Sequence, residues 1–80
     1  MPITLQVLSP ERELLSCQVE QVELPGMLGR FVVLPGHAPI ISALVSGVIR
    51  YRIAGEDKEL EIASGFVKVK DNIVTACIER

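Results

Sequence analysis

Few side chains in this sequence could carry catalytic or metal-binding chemistry, and they are scattered. His37 is the only histidine, and Cys17 and Cys77 are the only cysteines. A metal site needs several ligands at defined spacing, and a redox pair needs two nearby cysteines. Neither arrangement can be read here. We therefore expect no metal and no cofactor, and we expect both cysteines to be small buried hydrophobic residues.

A nucleophile with its base is equally hard to assemble. His37 as a general base would need an activated partner, and none of Ser42, Ser46 and Ser64 lies in a nucleophile-elbow sequence. The chain has no Gly-Lys-Ser or Gly-Lys-Thr phosphate loop and no dinucleotide fingerprint. The sequence therefore predicts a protein without catalysis of its own. Whether His37 stabilises a loop or faces a partner is left open.

Composition narrows the class of protein. The 80 residues are 49% hydrophobic and 22% charged, with a net charge of −2, which suits one folded domain and argues against disorder. Lys and Arg are dispersed, so nucleic acid is not an expected partner. The chain begins at Met1 without a signal segment, and its apolar runs are far shorter than a bilayer-crossing helix of about 20 residues. We expect a reducing cytoplasmic compartment and only indirect membrane association.

Alternation of apolar and polar residues predicts strands along most of the chain. Ile3, Leu5 and Val7 begin it, and residues 9–12 supply a turn. About eight short strands with regular turns are typical of a β-sandwich or barrel. The stretch 38–45 is the only candidate for helix, and it has room for about one turn.

Two details of the strand pattern can be tested. The apolar positions change parity near Glu20 and Gln21, which predicts a β-bulge or a break between two strands. We favour a strand that bends between two sheets. Residues 48–53 and 59–62 predict a hairpin in which Arg50 and Arg52 face Glu59 and Glu61. Gly65 is expected to separate this hairpin from a last pair of strands that turns at residues 71–72.

Proline and glycine are concentrated in residues 25–39, around an apolar strand. Pro25, Pro35 and Pro39 fix φ, while Gly26, Gly29 and Gly36 allow positive φ or close backbone approach. Rigid loops of this kind serve the fold or present a surface to a partner. The residues alone leave both interpretations open.

These motifs resemble the N-terminal domain of the ATP synthase epsilon subunit family, from about Ile3 to Ile78. The resemblance rests on Leu34-Pro35-Gly36-His37-Ala38-Pro39 with Pro25-Gly26 and Gly29 before it, and on Gly47, Ser64-Gly65-Phe66-Val67-Lys68-Val69 and Val74-Thr75 after it. It implies an all-β, two-sheet β-sandwich of about ten short strands over residues 1–80, without the helical hairpin that usually follows.

The resemblance also implies a function. Family members turn with the rotor of a proton-translocating F-type ATP synthase, link the gamma subunit to the polar loops of the c-ring, and perform no catalysis. We thus expect a peripheral subunit at the cytoplasmic face of a bacterial inner membrane. The alternative is a free-standing β-sandwich adaptor that binds another protein or a glycan.

Two sets of residues correspond to the family's contact surfaces. Those implied to face the c-ring are Arg30, Phe31 and His37, and those implied to face gamma are Ser9, Ala38, Pro39, Ile40 and Ser42. Ala38, Ile40 and Ile41 form an apolar stretch that suits an interface or caps the core. Arg30 stands where the family is often acidic, Val32 where it usually has glycine, and Ser64 replaces a glycine. We expect an acidic or neutral c-ring loop opposite Arg30.

Overall fold

A computed structural model describes residues 2–80 and contains nine strands and no helix within them. The strands are β1 (Ile3–Leu8), β2 (Glu13–Val19), β3 (Gln21–Gly26), β4 (Gly29–Val33), β5 (Ile40–Leu44), β6 (Gly47–Ile53), β7 (Glu56–Ile62), β8 (Ser64–Lys70) and β9 (Ile73–Glu79). The predicted all-β sandwich is confirmed, with nine strands rather than about ten. Residues 40–44, within the only candidate helix, are a strand.

The two layers of the sandwich are continuous. One layer has the order β2-β1-β9-β8-β5, and the other has β4-β3-β6-β7. They meet at the pair Gly26 and Leu44, where Met27 N–H donates to Ala43 O and Val45 N–H donates to Pro25 O. The molecule is therefore one sheet that curls over its own core.

The core fills the space between the layers with aliphatic side chains taken from alternate positions of the strands. It comprises Ile3, Leu5, Val7, Val19, Val22, Leu24, Val33, Leu44, Ile49, Ile62, Val67, Val69, Val74, Ala76 and Ile78. No polar or charged residue is buried among the described residues. The hydrophobic effect is the dominant favourable term in such a core.

The parity change at residues 20–21 marks the passage between layers. β2 pairs with β1 in one layer, whereas β3 pairs with β4 and β6 in the other. Glu20 lies between them, and its N–H donates to Arg52 O at 2.8 Å. The strand break predicted there is confirmed, and the register shift lies instead at Val7 and Leu8.

Turn chemistry follows the sequence closely. Ala54 and Gly55 form the β6–β7 turn with φ of 51° and 78°, and Asp71 and Asn72 form the β8–β9 turn with φ of 52° and 61°. These left-handed values match the tight hairpin turns whose twist suits paired strands. Gly65 does not separate two hairpins, because it lies inside β8 and pairs with Ile78.

Candidate partner-binding site

The outer surface of the β4-β3-β6-β7 layer carries a network of ion pairs. Glu23 binds Arg30 at 2.6 Å and Arg50 at 3.5 Å, and Arg50 also binds Glu59 at 2.9 Å. We call this surface the charged face. Glu23, Arg30, Arg50 and Glu59 pair with one another, so these four charges are less available to a partner. Glu61, on the same face, forms no ion pair within residues 2–80.

The predicted pairing across the β6–β7 hairpin is half correct. Arg50 is opposite Glu59 as expected, but Arg52 is opposite Asp57 and bonds it at 2.9 Å, while Glu61 is opposite Val48. A hydrogen bond from Arg30 lowers the pKa of Glu23, and one from Arg52 lowers the pKa of Asp57. Both carboxylates are thereby held in their charged form.

The outer surface of β1, β9, β8 and β5 is chemically different. The register places Leu8 beside Cys77, Cys77 beside Phe66, and Phe66 beside Ala43, which makes an apolar row across four strands. A groove of about 710 Å³ follows this row. We call this surface, together with the neighbouring Ile41, the apolar face.

Large side chains on the apolar face are open to solvent. Phe66 is 64% exposed and Ile41 is 76% exposed. Lys68 lies beside Ile41 in the register, and Lys70 beside Ile73; neither lysine forms an ion pair within residues 2–80. A contiguous patch of exposed aromatic and aliphatic side chains with a polar rim is typical of a protein-binding surface.

Cys77 corrects one prediction. It is exposed on the apolar face, whereas Cys17 is half-buried against the core. Burial raises the pKa of the Cys17 thiol, which favours the unreactive protonated form. Residues 2–80 contain no group of three or more His, Cys, Asp or Glu side chains that could hold a metal ion.

The residues predicted to face gamma lie at one end of β5 and beside the groove. Ser9 lines the groove, and its hydroxyl closes the β1–β2 turn by donating to Arg12 O at 3.1 Å. Ala38 and Pro39 are exposed. Ile40 and Ser42 are half-buried beside the core residues Val69 and Val67. Of the two adjacent isoleucines, Ile41 points outward. Alternation along a strand would have predicted this once residues 40–44 were known to form β5.

The residues predicted to face the c-ring are not grouped on one surface. Arg30 is exposed on β4, but Glu23 and Val48 O occupy its guanidinium at 2.6 and 2.8 Å. Phe31 is half-buried and packs against the core. His37 is half-buried in the loop between β4 and β5, where its Nδ1 lies 2.6 Å from Ala38 O.

The β3–β4 turn exposes two apolar residues that the sequence analysis did not select. Met27 is 65% exposed and Leu28 is fully exposed. The turn is anchored to β5, because Met27 N–H donates a hydrogen bond to Ala43 O at 3.0 Å. It is also tight, because a Cβ on Gly26 would lie 2.7 Å from Gly29 O. The hairpin therefore presents apolar surface at its tip, while its nearest charge is already paired.

A curled β-sandwich with a largely ion-paired charged face and an open apolar face is typical of a small partner-binding domain. The chain belongs to the family described as "ATP synthase, Delta/Epsilon chain, beta-sandwich domain", whose profile it matches over residues 2–80. Among residues 2–80 no helix is long and apolar enough to cross a bilayer.

Individual relatives with assigned names belong to the same family. The chain is 47% identical over 72 residues to the ATP synthase epsilon chain of Desulfitobacterium hafniense, covering 90% of this chain and 54% of the relative. It is 37% identical over 78 residues to that of Synechococcus elongatus, covering 98% and 57%. This chain thus spans little more than half the length of these relatives.

Solved structures share the fold. A chain of the Euglena gracilis mitochondrial ATP synthase OSCP/F1/c-ring structure superposes with a TM-score of 0.93 at 22% identity, covering 99% of this chain and 51% of that one. A chain of the Tetrahymena thermophila mitochondrial ATP synthase central stalk/c-ring structure gives 0.82 at 14% identity, covering 100% and 65%. At these identities the superpositions establish the fold alone.

Proposed function

We propose that this protein is a non-catalytic subunit of the central stalk of a proton-translocating F-type ATP synthase, where it links gamma to the c-ring and turns with the rotor. The observation that carries the proposal is the asymmetry of the surface. One face pairs most of its charges within itself. The opposite face exposes Phe66 and Ile41 near Lys68 and Lys70, which form no ion pair within residues 2–80. Family membership supplies the identity of the assembly.

The apolar face and the neighbouring loop are the proposed gamma side. Its border is formed by Ser9, Ala38 and Pro39. The half-buried Ile40 and Ser42 hold β5 against the core. The side chains that would insert into the partner are Ile41 and Phe66, which point outward. Since exposed anchors of this size dominate binding energy when a partner covers them, they should carry most of the affinity. Lys68 and Lys70 favour a gamma surface with acidic residues at its rim.

The β3–β4 hairpin is the proposed c-ring side. Arg30 and Phe31 lie on β4, where Phe31 packs against the core. His37 lies in the loop beyond the other end of β4, so its assignment to the ring rests on the family resemblance alone. Because Arg30 is engaged by Glu23, we propose that Met27 and Leu28 make the first contact with the ring. A strongly basic c-ring loop opposite Arg30 would contradict this arrangement. The proposal puts the protein at the cytoplasmic face of a bacterial inner membrane, peripherally bound, with no cofactor of its own.

The test compares two exposed aliphatic residues on opposite faces. Ile41→Ser should weaken binding to purified gamma about tenfold or more in isothermal titration calorimetry. Val32→Ser, on β4 and 42% exposed, should change it less than twofold. Equal losses in both variants would refute the choice of face. Binding to some other protein or to a glycan, with none to gamma, would favour the free-standing adaptor.

A further inference from the structure

Asn72 connects three separate segments of the chain. It lies in the β8–β9 turn with φ of 61°, and its backbone carbonyl accepts a hydrogen bond from Thr4 N–H at 2.9 Å. Its side-chain Oδ1 accepts a second bond from Gly36 N–H at 2.7 Å, across 36 positions of sequence. Asn tolerates the left-handed conformation better than most residues, so the turn holds this side chain in place without a large backbone penalty.

The bond to Gly36 has a particular role in the loop of residues 34–39. Inside the loop, His37 N–H donates to Leu34 O at 3.1 Å, and the Nδ1 atom of the His37 ring lies 2.6 Å from Ala38 O. Of the hydrogen bonds within residues 2–80, only the one from Gly36 to Asn72 joins this loop to another part of the chain. Gly36 has φ of 83° and follows Pro35, as in a type II turn. The loop is thus a preformed turn held at one point.

We propose that Asn72 is a positioning residue for the partner-binding loop: it holds residues 34–39, and with them Ala38 and Pro39, in their bound arrangement before gamma arrives. This rests on the proposed function, because Ala38 and Pro39 are assigned there to the gamma side. Ordering a loop during association costs affinity, and a bond that orders it beforehand removes that cost. Asn72 itself need not touch gamma.

Two substitutions at the same position separate the bond from the turn. Asn72→Gly tolerates the positive φ but removes the acceptor, while Asn72→Asp keeps an acceptor oxygen. Asp71→Gly is the control for added turn flexibility, because Asp71 shares the left-handed turn and its side chain makes no hydrogen bond within residues 2–80. All three should remain folded, since none alters the core.

The first measurement uses the protein alone. Hydrogen exchange of the Gly36 amide, followed by NMR, should accelerate about fivefold or more in Asn72→Gly, the effect of losing one hydrogen bond. It should stay near the wild-type rate in Asn72→Asp and Asp71→Gly. An unchanged rate in Asn72→Gly would overturn the proposal whether or not gamma binds.

The second measurement is affinity for purified gamma at a temperature where every variant is folded. Asn72→Gly should bind about three- to tenfold more weakly, with Asn72→Asp and Asp71→Gly within about twofold. Faster Gly36 exchange with unchanged affinity would mean a purely structural bond and would overturn the positioning role. Failure of every protein, wild type included, to bind gamma would instead overturn the proposed function, and the positioning role with it.

Discussion

Gly65→Ala tests the packing of the layer that carries the apolar face. A Cβ at this position would lie 2.5 Å from Cys77 O and 3.1 Å from both Cα and Cγ2 of Ile78. Ordinary contacts begin at 3.4 Å, so β8 and β9 would have to separate locally by about 0.9 Å, the difference between the observed 2.5 and 3.4 Å. The obstacle is backbone, which cannot rotate away as a side chain can.

The expected cost follows from that displacement. Forcing an extra carbon into a packed site costs about 1–3 kcal/mol. A ladder bond stretched from about 2.9 to about 3.8 Å is no longer a hydrogen bond and adds about 1 kcal/mol. The free energy of unfolding should therefore fall by about 2–4 kcal/mol in total. That is a large share of the roughly 4–12 kcal/mol typical of a domain of this size.

Urea and thermal unfolding followed by circular dichroism would measure the change. Gly65→Ala should lower Tm by at least about 8 °C, at 4–8 °C for each kcal/mol. Ser64→Ala is the matched control, because Ser64 is exposed at the start of the same strand, and it should stay within about 0.5 kcal/mol of the wild type. A Gly65→Ala protein as stable as this control would refute the close approach of β8 to β9.

Further predictions concern a turn, the charged face and the coupling role. Ala54 has φ of 51° before Gly55, so Ala54→Asn should stabilise the protein by about 0.5–1 kcal/mol in urea unfolding; a loss of stability would contradict the left-handed turn. The pKa values of Glu23 and Asp57 are lowered in the folded state, so the stability that their ion pairs contribute is complete above the ordinary carboxyl range and should be lost as pH falls below about 4. Thermal unfolding between pH 7 and 3 would test this, and Glu23→Gln should flatten the profile; an unchanged profile would argue against the pair with Arg30. Residues 1–80 added to an ATP synthase depleted of its own epsilon subunit should restore coupling without strong inhibition of ATP hydrolysis, and potent inhibition would contradict the proposed role.

Local chemistry made much of the fold predictable. Alternating residues such as Ile3, Leu5 and Val7 specify which side of a strand is buried, and Asp71-Asn72 specifies a tight turn. Which distant strands pair with each other cannot be predicted from the residues of any one strand. In the sequence Gly65 resembles a boundary between strands. In the structure it lies inside β8, where β9 approaches too closely for a Cβ.

The candidate site was less predictable for the same reason. Ile40 was assigned to the gamma side by the family resemblance, and the residues alone left open whether the isoleucines face a partner or cap the core. The parity of residues 40–44 could not decide this before they were known to form a strand. Arg30 and Glu23 are neighbours only because β4 folds back on β3. The apolar row from Leu8 to Ala43 exists only once four strands are placed side by side, so no stretch of sequence displays it.

Stoichiometry in an assembled rotor tests the central claim most directly. The c-ring, gamma and this protein would be mixed, and the complex isolated by size-exclusion chromatography and weighed by native mass spectrometry. The proposed function predicts one copy of this chain for each gamma, bound to the ring. A chain that remains monomeric with gamma present would contradict it.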